Sequence, residues 1–140
     1  MCIYPDRCIR GIPDNSFLTD DGSIGTHLFY FFDKHNRDDG WVEQSINWED
    51  DDTVIEFSLQ QKKVDGSLQF KAGIVLIPRE EVDRLNNLPT VKGLISYERR
   101  PLEDNSYHGN ILLKSSLPRP TMKKIAAGLA LAVSDIINRK

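Results

Sequence analysis

The sequence predicts an α+β domain. An antiparallel β-sheet of about five to six strands opens as an N-terminal meander and packs on a long C-terminal α-helix, with a short helix near residues 79–87. Three observations lead to this class. Asp-Gly pairs at Asp21-Gly22, Asp39-Gly40 and Asp65-Gly66 mark tight reversals, because glycine accepts the positive backbone angles such turns require. Strand-like segments come in runs between them instead of alternating regularly with helices. Only the C-terminal stretch repeats its apolar residues at a sustained helical spacing.

Taken in order, residues 1–16 are broken by Pro5 and Pro13 and read as an irregular N-terminal segment. Thr26–Phe32 (THLFYFF) is apolar on both faces, as in a well-covered strand. Trp41–Trp48 follows the second Asp-Gly pair and sets Val42, Ile46 and Trp48 on one face. Thr53–Gln60 alternates Ile55, Phe57 and Leu59 with Glu56, Ser58 and Gln60, which is strand period. Ser67–Ile77 continues that period through Leu68, Phe70, Ala72, Ile74 and Leu76, and these four segments make the meander. At Pro78–Asn87 the period changes: a proline suited to a first helical turn precedes acids placed where the helix dipole favours them. Val91–Glu98 and His108–Lys114 return as strands around a polar loop. Thr121–Asn138 then places Met122, Ile125, Ala126, Leu129, Val133, Ile136 and Ile137 at helical spacing, with Thr121 as a cap and Arg139 and Lys140 at the positively favoured end. Its small residues Ala126, Ala127, Gly128 and Ala130 suit close packing on a sheet.

The whole of 1–140 is expected to be one domain, since 140 residues match a single core and 39% hydrophobic with 28% charged residues is ordinary globular composition. Cys2 and Cys8 have neither metal-knuckle spacing nor the number needed for a disulfide framework, and read as reduced thiols. No signal-peptide run or apolar span of membrane length appears, which points to a soluble, cytoplasmic protein. The net charge of -3 disfavours nucleic acid as a general partner. It also conceals an asymmetry. Nine carboxylates stand against Lys34 and Arg37 between Asp33 and Glu56, while six bases stand against Asp135 from Lys114 onward.

The acidic stretch supplies the candidate binding residues Asp38, Asp39, Trp41, Trp48, Glu49, Asp51 and Asp52. Its spacing is not that of an EF-hand, and neighbouring acids on an extended chain point different ways, so the reading is of acidic turns facing water and no metal is assigned. Trp41 and Trp48 lie an odd number of residues apart and face opposite sides of a strand, leaving one partly exposed as an aromatic anchor. Of the three histidines, His27 reads as packed within an apolar segment and His35 as an exposed turn residue. His108 enters a strand from a polar loop beside Asn105, Tyr107, Gly109 and Asn110, where it can act as an acid or base. Nucleophile motifs and phosphate loops are absent from the sequence, and no cofactor is called for.

These features favour a small accessory or interaction protein: an inhibitor, an immunity-like protein or an assembly subunit that presents an acidic, aromatic-containing surface to a basic protein partner. The alternative is a hydrolase or transferase acting on a nucleotide-like or phosphate-containing substrate, with His108 as acid/base and Arg10 (or Arg99) as an anion clamp. A homo-oligomeric scaffold using Val91–Tyr97 or the C-terminal helix is a third reading.

Overall fold

The computed structural model describes residues 4–31 and 35–138. Six strands form one sheet: β1 (Arg7–Ile12), β2 (Trp41–Trp48), β3 (Gly73–Pro78), β4 (Ile95–Arg99), β5 (His108–Lys114) and β6 (Asp135–Asn138). They lie in the order β4-β5-β2-β1-β3-β6, with every neighbouring pair antiparallel. Helices α1 (Val54–Leu59), α2 (Arg79–Asn86) and α3 (Arg119–Ala132) complete the fold. The α+β class, the antiparallel sheet, the C-terminal helix and the short helix after Pro78 are those the sequence predicts. Among the described residues no helix is long and apolar enough to cross a membrane.

Strand register divides the sheet into two faces, because successive side chains alternate. On the first face Cys8, Ile12, Val42, Ile46, Trp48, Val75, Ile77, Ile111 and Leu113 meet Ile125, Ala126, Leu129 and Ala132 of α3 and Val82 of α2 in the main core. Each fully buried Ile or Leu there contributes roughly 1.5–3 kcal/mol. On the second face Ile9, Ile74 and Leu76 meet Val54 of α1, with Ile55, Leu59, Phe70 and Tyr107 packed around them.

Several elements depart from the sequence expectation, each for a physical reason. Arg7–Ile12, expected to be irregular, is a central strand paired with both β2 and β3. Its apolar residues Cys8, Ile9 and Ile12 serve both faces and so show no alternation. Thr53–Gln60 folds as α1 instead of a strand. Over six residues its apolar pattern fits both periods, and the helix unites Val54 with Ser58 and Ile55 with Leu59 at i,i+4. The described part of Thr26–Phe32 is a 3-10 turn at Thr26–Phe29, and Phe32 lies outside the described residues. Side chains from the sheet take up its carbonyls: Arg10 Nε donates to Leu28 O at 3.0 Å and Gln44 Nε2 to Phe29 O. Strand β3 begins only at Gly73, whose φ of 121° ends the preceding turn. The meander is therefore replaced by a sheet in which β1 and β3 meet across a long connection. Helix α3 stops at Ala132, where Val133 turns extended. The β-branched Ile136 and Ile137 form β6 against β3, adding a sixth strand. Arg139 and Lys140, expected at a helix end, lie outside the described residues, as does Cys2.

The three Asp-Gly reversals are all present. Gly22, Gly40 and Gly66 have φ of 84°, 88° and 88° and each sits in a turn closed by a single bridge, Leu18↔Ile24, Asn36↔Val42 and Lys62↔Leu68.

Candidate functional site

The second face of the sheet is built in two chemically distinct halves. Over β1, β3 and β6 it is apolar and takes α1. Over β2, β5 and β4 the same register presents Glu43, Ser45 and Asn47, then His108, Asn110 and Leu112, then Ser96 and Glu98. At the border between these halves lies a cavity of about 220 Å³ lined by Ile9, Gly11, Ser45, Ile46, Asn47, Gln61, Gln69, Phe70, Leu102, Asp104, Asn105 and His108.

The cavity floor is a carboxamide network. Asn47 Nδ2 donates to Ser58 Oγ at 2.8 Å and to Gln61 Oε1 at 2.7 Å, and its Oδ1 accepts from Asn105 Nδ2 at 2.8 Å. Asn105 Oδ1 accepts from Tyr107 N at 3.0 Å, and its backbone closes a turn on Leu102. Asn47 is 5% and Asn105 4% exposed, so both meet the rule that buried polar groups find partners. One strand side chain thus ties the end of α1 to the turn that precedes β5.

Three further residues shape the walls. Gly11 lets Phe70 lie directly over β1, since a Cβ at that position would overlap the Phe70 ring. His108 is held through Nδ1, 2.9 Å from Arg100 O. A carbonyl only accepts, so in the neutral ring Nδ1 carries the proton and Nε2 keeps its lone pair. Asp104 makes no hydrogen bond or ion pair among the described residues. Beyond the cavity, Glu98 accepts from Asn110 Nδ2 at 2.7 Å and from Arg37 Nη1, and lies 3.7 Å from Arg100. Desolvation alone would raise Glu98, but the hydrogen bonds from Asn110 and Arg37 outweigh it and hold the carboxyl below its ordinary range. Asn110 Oδ1 is buried without a partner among the described residues.

The acidic stretch is distributed differently from the sequence picture. Glu49 is bound by Arg7 through two bonds, Nε–Oε1 at 2.6 Å and Nη2–Oε2 at 2.9 Å. Asp50 is paired with Arg99, and Asp39 with Arg37 at 2.7 Å. Asp51 accepts from Thr53 N at 2.8 Å at the start of α1, which lowers its carboxyl through bonds from the Thr53 hydroxyl and amide. Asp38 and Asp52 are exposed at the two ends of β2. No three His, Cys, Asp or Glu side chains among the described residues converge as metal ligands would. Trp41 and Trp48 take opposite faces. Trp48 is fully buried, stacked on Tyr4 at 4.8 Å, with Nε1 donating to Glu98 O at 3.1 Å. Trp41 is half-buried on the second face with Lys114 Nζ 4.5 Å from its ring centroid.

His108 and Arg10 are not brought together. Arg10 points to the first face, where it bonds Leu28 O and, at 2.8 Å through Nη1, Ser45 O, beside the Phe29 ring. Burial pushes it down to about 10, still protonated at neutral pH. Arg99 is engaged by Asp50. His27, packed as the sequence suggests, stacks on Phe17 at 4.7 Å with Nε2 2.8 Å from Ser16 O, and His35 is exposed.

Sequence reasoning missed Asp104, Asn47, Gln61, Gln69, Phe70 and Gly11. One local signal was available for Asn47: a carboxamide in a strand whose neighbours Ile46 and Trp48 are apolar implies a buried polar partner. The others come together only through the tertiary fold. No protein-family model matches the chain. No curated protein and no solved structure matches it either.

Proposed function

We propose that this protein is a binding module for a partner protein with a basic surface, using the polar half of the second sheet face and the cavity at its border. The observation that carries this reading is which carboxylates remain unspent. Arg7, Arg99 and Arg37 take up Glu49, Asp50 and Asp39. Asp38, Glu43, Asp52 and Asp104 carry no ion pair or hydrogen bond among the described residues. Glu43 lies within the polar half-face, Asp38 and Asp52 off the two ends of β2, and Asp104 at the cavity. Charges of one sign spread along one strand and its flanks attract an oppositely charged surface and speed its encounter. Trp41 in the same face offers an aromatic contact beside them.

The test is capture of a partner from native lysate on the immobilised chain, compared with a variant carrying Asp38→Asn, Glu43→Gln, Asp52→Asn and Asp104→Asn. Capture by the unsubstituted chain should weaken with salt and be lost on the variant. A partner retained equally by both proteins would refute the reading.

Catalysis at His108 is the second reading, favoured by the fixed ring that leaves Nε2 as a base beside Asp104 in a concave site. A phosphate-bearing substrate would there lack an arginine clamp, since Arg10 lies on the other face.

A further inference from the structure

We propose that the cavity bordered by Asp104 and His108 is an anchor pocket for a single arginine side chain of the partner. This rests on the reading of the protein as a module for a basic partner, and it names the group that is recognised.

Size is the first argument. About 220 Å³ is below the range of roughly 300–1,000 Å³ typical of sites for drug-sized ligands, and suits one long side chain better than a nucleotide. Charge is the second. No lysine or arginine lines the cavity, and one carboxylate does. An anion entering it would meet Asp104 with no opposing base, whereas a cation would find an unspent partner.

Hydrogen-bonding capacity is the third argument. Asn47 has used both its N–H groups on Ser58 and Gln61, and Asn105 has turned its Nδ2 inward to Asn47. The pocket retains neutral donors, on Ser45, Gln61 and Gln69, and no charged one. It keeps the acceptors a guanidinium seeks: the Asp104 carboxylate and His108 Nε2, whose lone pair is fixed by the bond from Nδ1 to Arg100 O. Arginine offers five donors and no acceptor, the complement of this set. The apolar wall is the fourth argument. Ile9, Leu102 and the Phe70 ring, seated over Gly11, can cover the methylene stem, and an aromatic face also favours a guanidinium.

The experiment titrates the uniformly 15N-labelled full chain with N-acetyl-arginine N-methylamide and with its citrulline and lysine counterparts, and separately with inorganic phosphate. Amide shifts are followed at Gln69, Asp104, Asn105 and His108. The arginine probe should give saturable shifts at these positions with millimolar affinity, and the neutral citrulline probe, nearly the same in shape, should bind about tenfold more weakly or less. Asp104→Asn, a change at an exposed turn residue without internal bonds, should weaken the arginine probe about tenfold, while Asp20→Asn, the same loss of charge at an exposed position outside the cavity, should leave it unchanged. Equal binding of the arginine and citrulline probes, indifference to Asp104→Asn, lysine binding more tightly than arginine, or phosphate shifting the same amides would each overturn the proposal. If the arginine probe fails while partner capture still depends on Asp38, Glu43 and Asp52, the anchor is refuted and the binding-module reading stands. If capture is also insensitive to charge, both fall.

Discussion

Gly109→Ala is a one-carbon change that tests how the sheet holds Trp48. Gly109 lies in β5 between Ile46 of β2 and Arg99 of β4, and Trp48 crosses it. An added methyl would fall on the Glu98 carbonyl oxygen and on Trp48 Nε1, with Trp48 Cδ1 only 2.8 Å away. Neither neighbour has room to move. The carbonyl belongs to the backbone of β4, and the indole is fully buried, stacked on Tyr4 at 4.8 Å and edge-on to Tyr97 at 5.6 Å. Forcing extra volume into such packing costs about 1–3 kcal/mol. Displacing the indole from Glu98 O leaves a buried donor unpaired, worth about 1–3 kcal/mol more. A loss of about 3 kcal/mol is the central expectation. At about 2.1 cal/mol/K of unfolding entropy per residue, a chain of this length loses about 10 °C of Tm. Urea unfolding followed by tryptophan fluorescence, with a thermal melt by circular dichroism, measures both quantities. Trp48→Phe removes the Nε1 obstruction, so Gly109→Ala should cost at least about 1 kcal/mol less in that background. A Gly109→Ala protein within about 0.5 kcal/mol of the parent, or strict additivity with Trp48→Phe, would show that this packing does not constrain the strand.

Two further outcomes follow from titratable groups. Cys8 is 1% exposed and burial pushes its thiol up to about 12, so a thiol-specific disulfide reagent should leave Cys8 unmodified in the folded protein and label it once urea unfolds the chain; rapid labelling of Cys8 in the native state would contradict its place in the core. Glu98 is held below the ordinary value of 4.5, so its contribution to stability is complete above that value and is lost as pH falls through the lower folded one; Glu98→Gln should destabilise the protein at pH 6 and lose that effect towards pH 3, and a difference that grows with acid would reverse the assignment.

The parts of the fold legible in the sequence were those with local physical causes. Asp-Gly turns need only a glycine at positive φ, and α2 needs only a proline, a dipole-matched acid pair and one buried face. β2 and β5 show their strand character because each carries one apolar and one polar face. What could not be read locally depended on contacts between distant segments. Arg7–Ile12 looks irregular until β2 and β3 flank it. Thr53–Gln60 alternates like a strand, and only in the fold does Asp51, accepting from Thr53 N, stand at the start of a helix. The end of α3 is similarly ambiguous: Ile136 and Ile137 continue its period, yet they are buried more usefully against β3.

The same distinction governs the charges. A sequence count of nine carboxylates between Asp33 and Glu56 treats every acid as free, but Arg7 reaches Glu49 from 42 positions away and Arg99 reaches Asp50 from 49. Those acids hold strands together and present little field to a partner. Asp104 is the reverse case. It lies outside the acidic run and drew no attention there, yet it stands unpaired among the described residues beside a concave surface. Recognition of a cation depends on a negative group that is available, and local density of acids does not measure that. Part of the acidic run therefore serves the architecture of β2 and its neighbours, and the proposed arginine anchor lies outside the run, at a carboxylate the fold leaves unpaired beside a cavity.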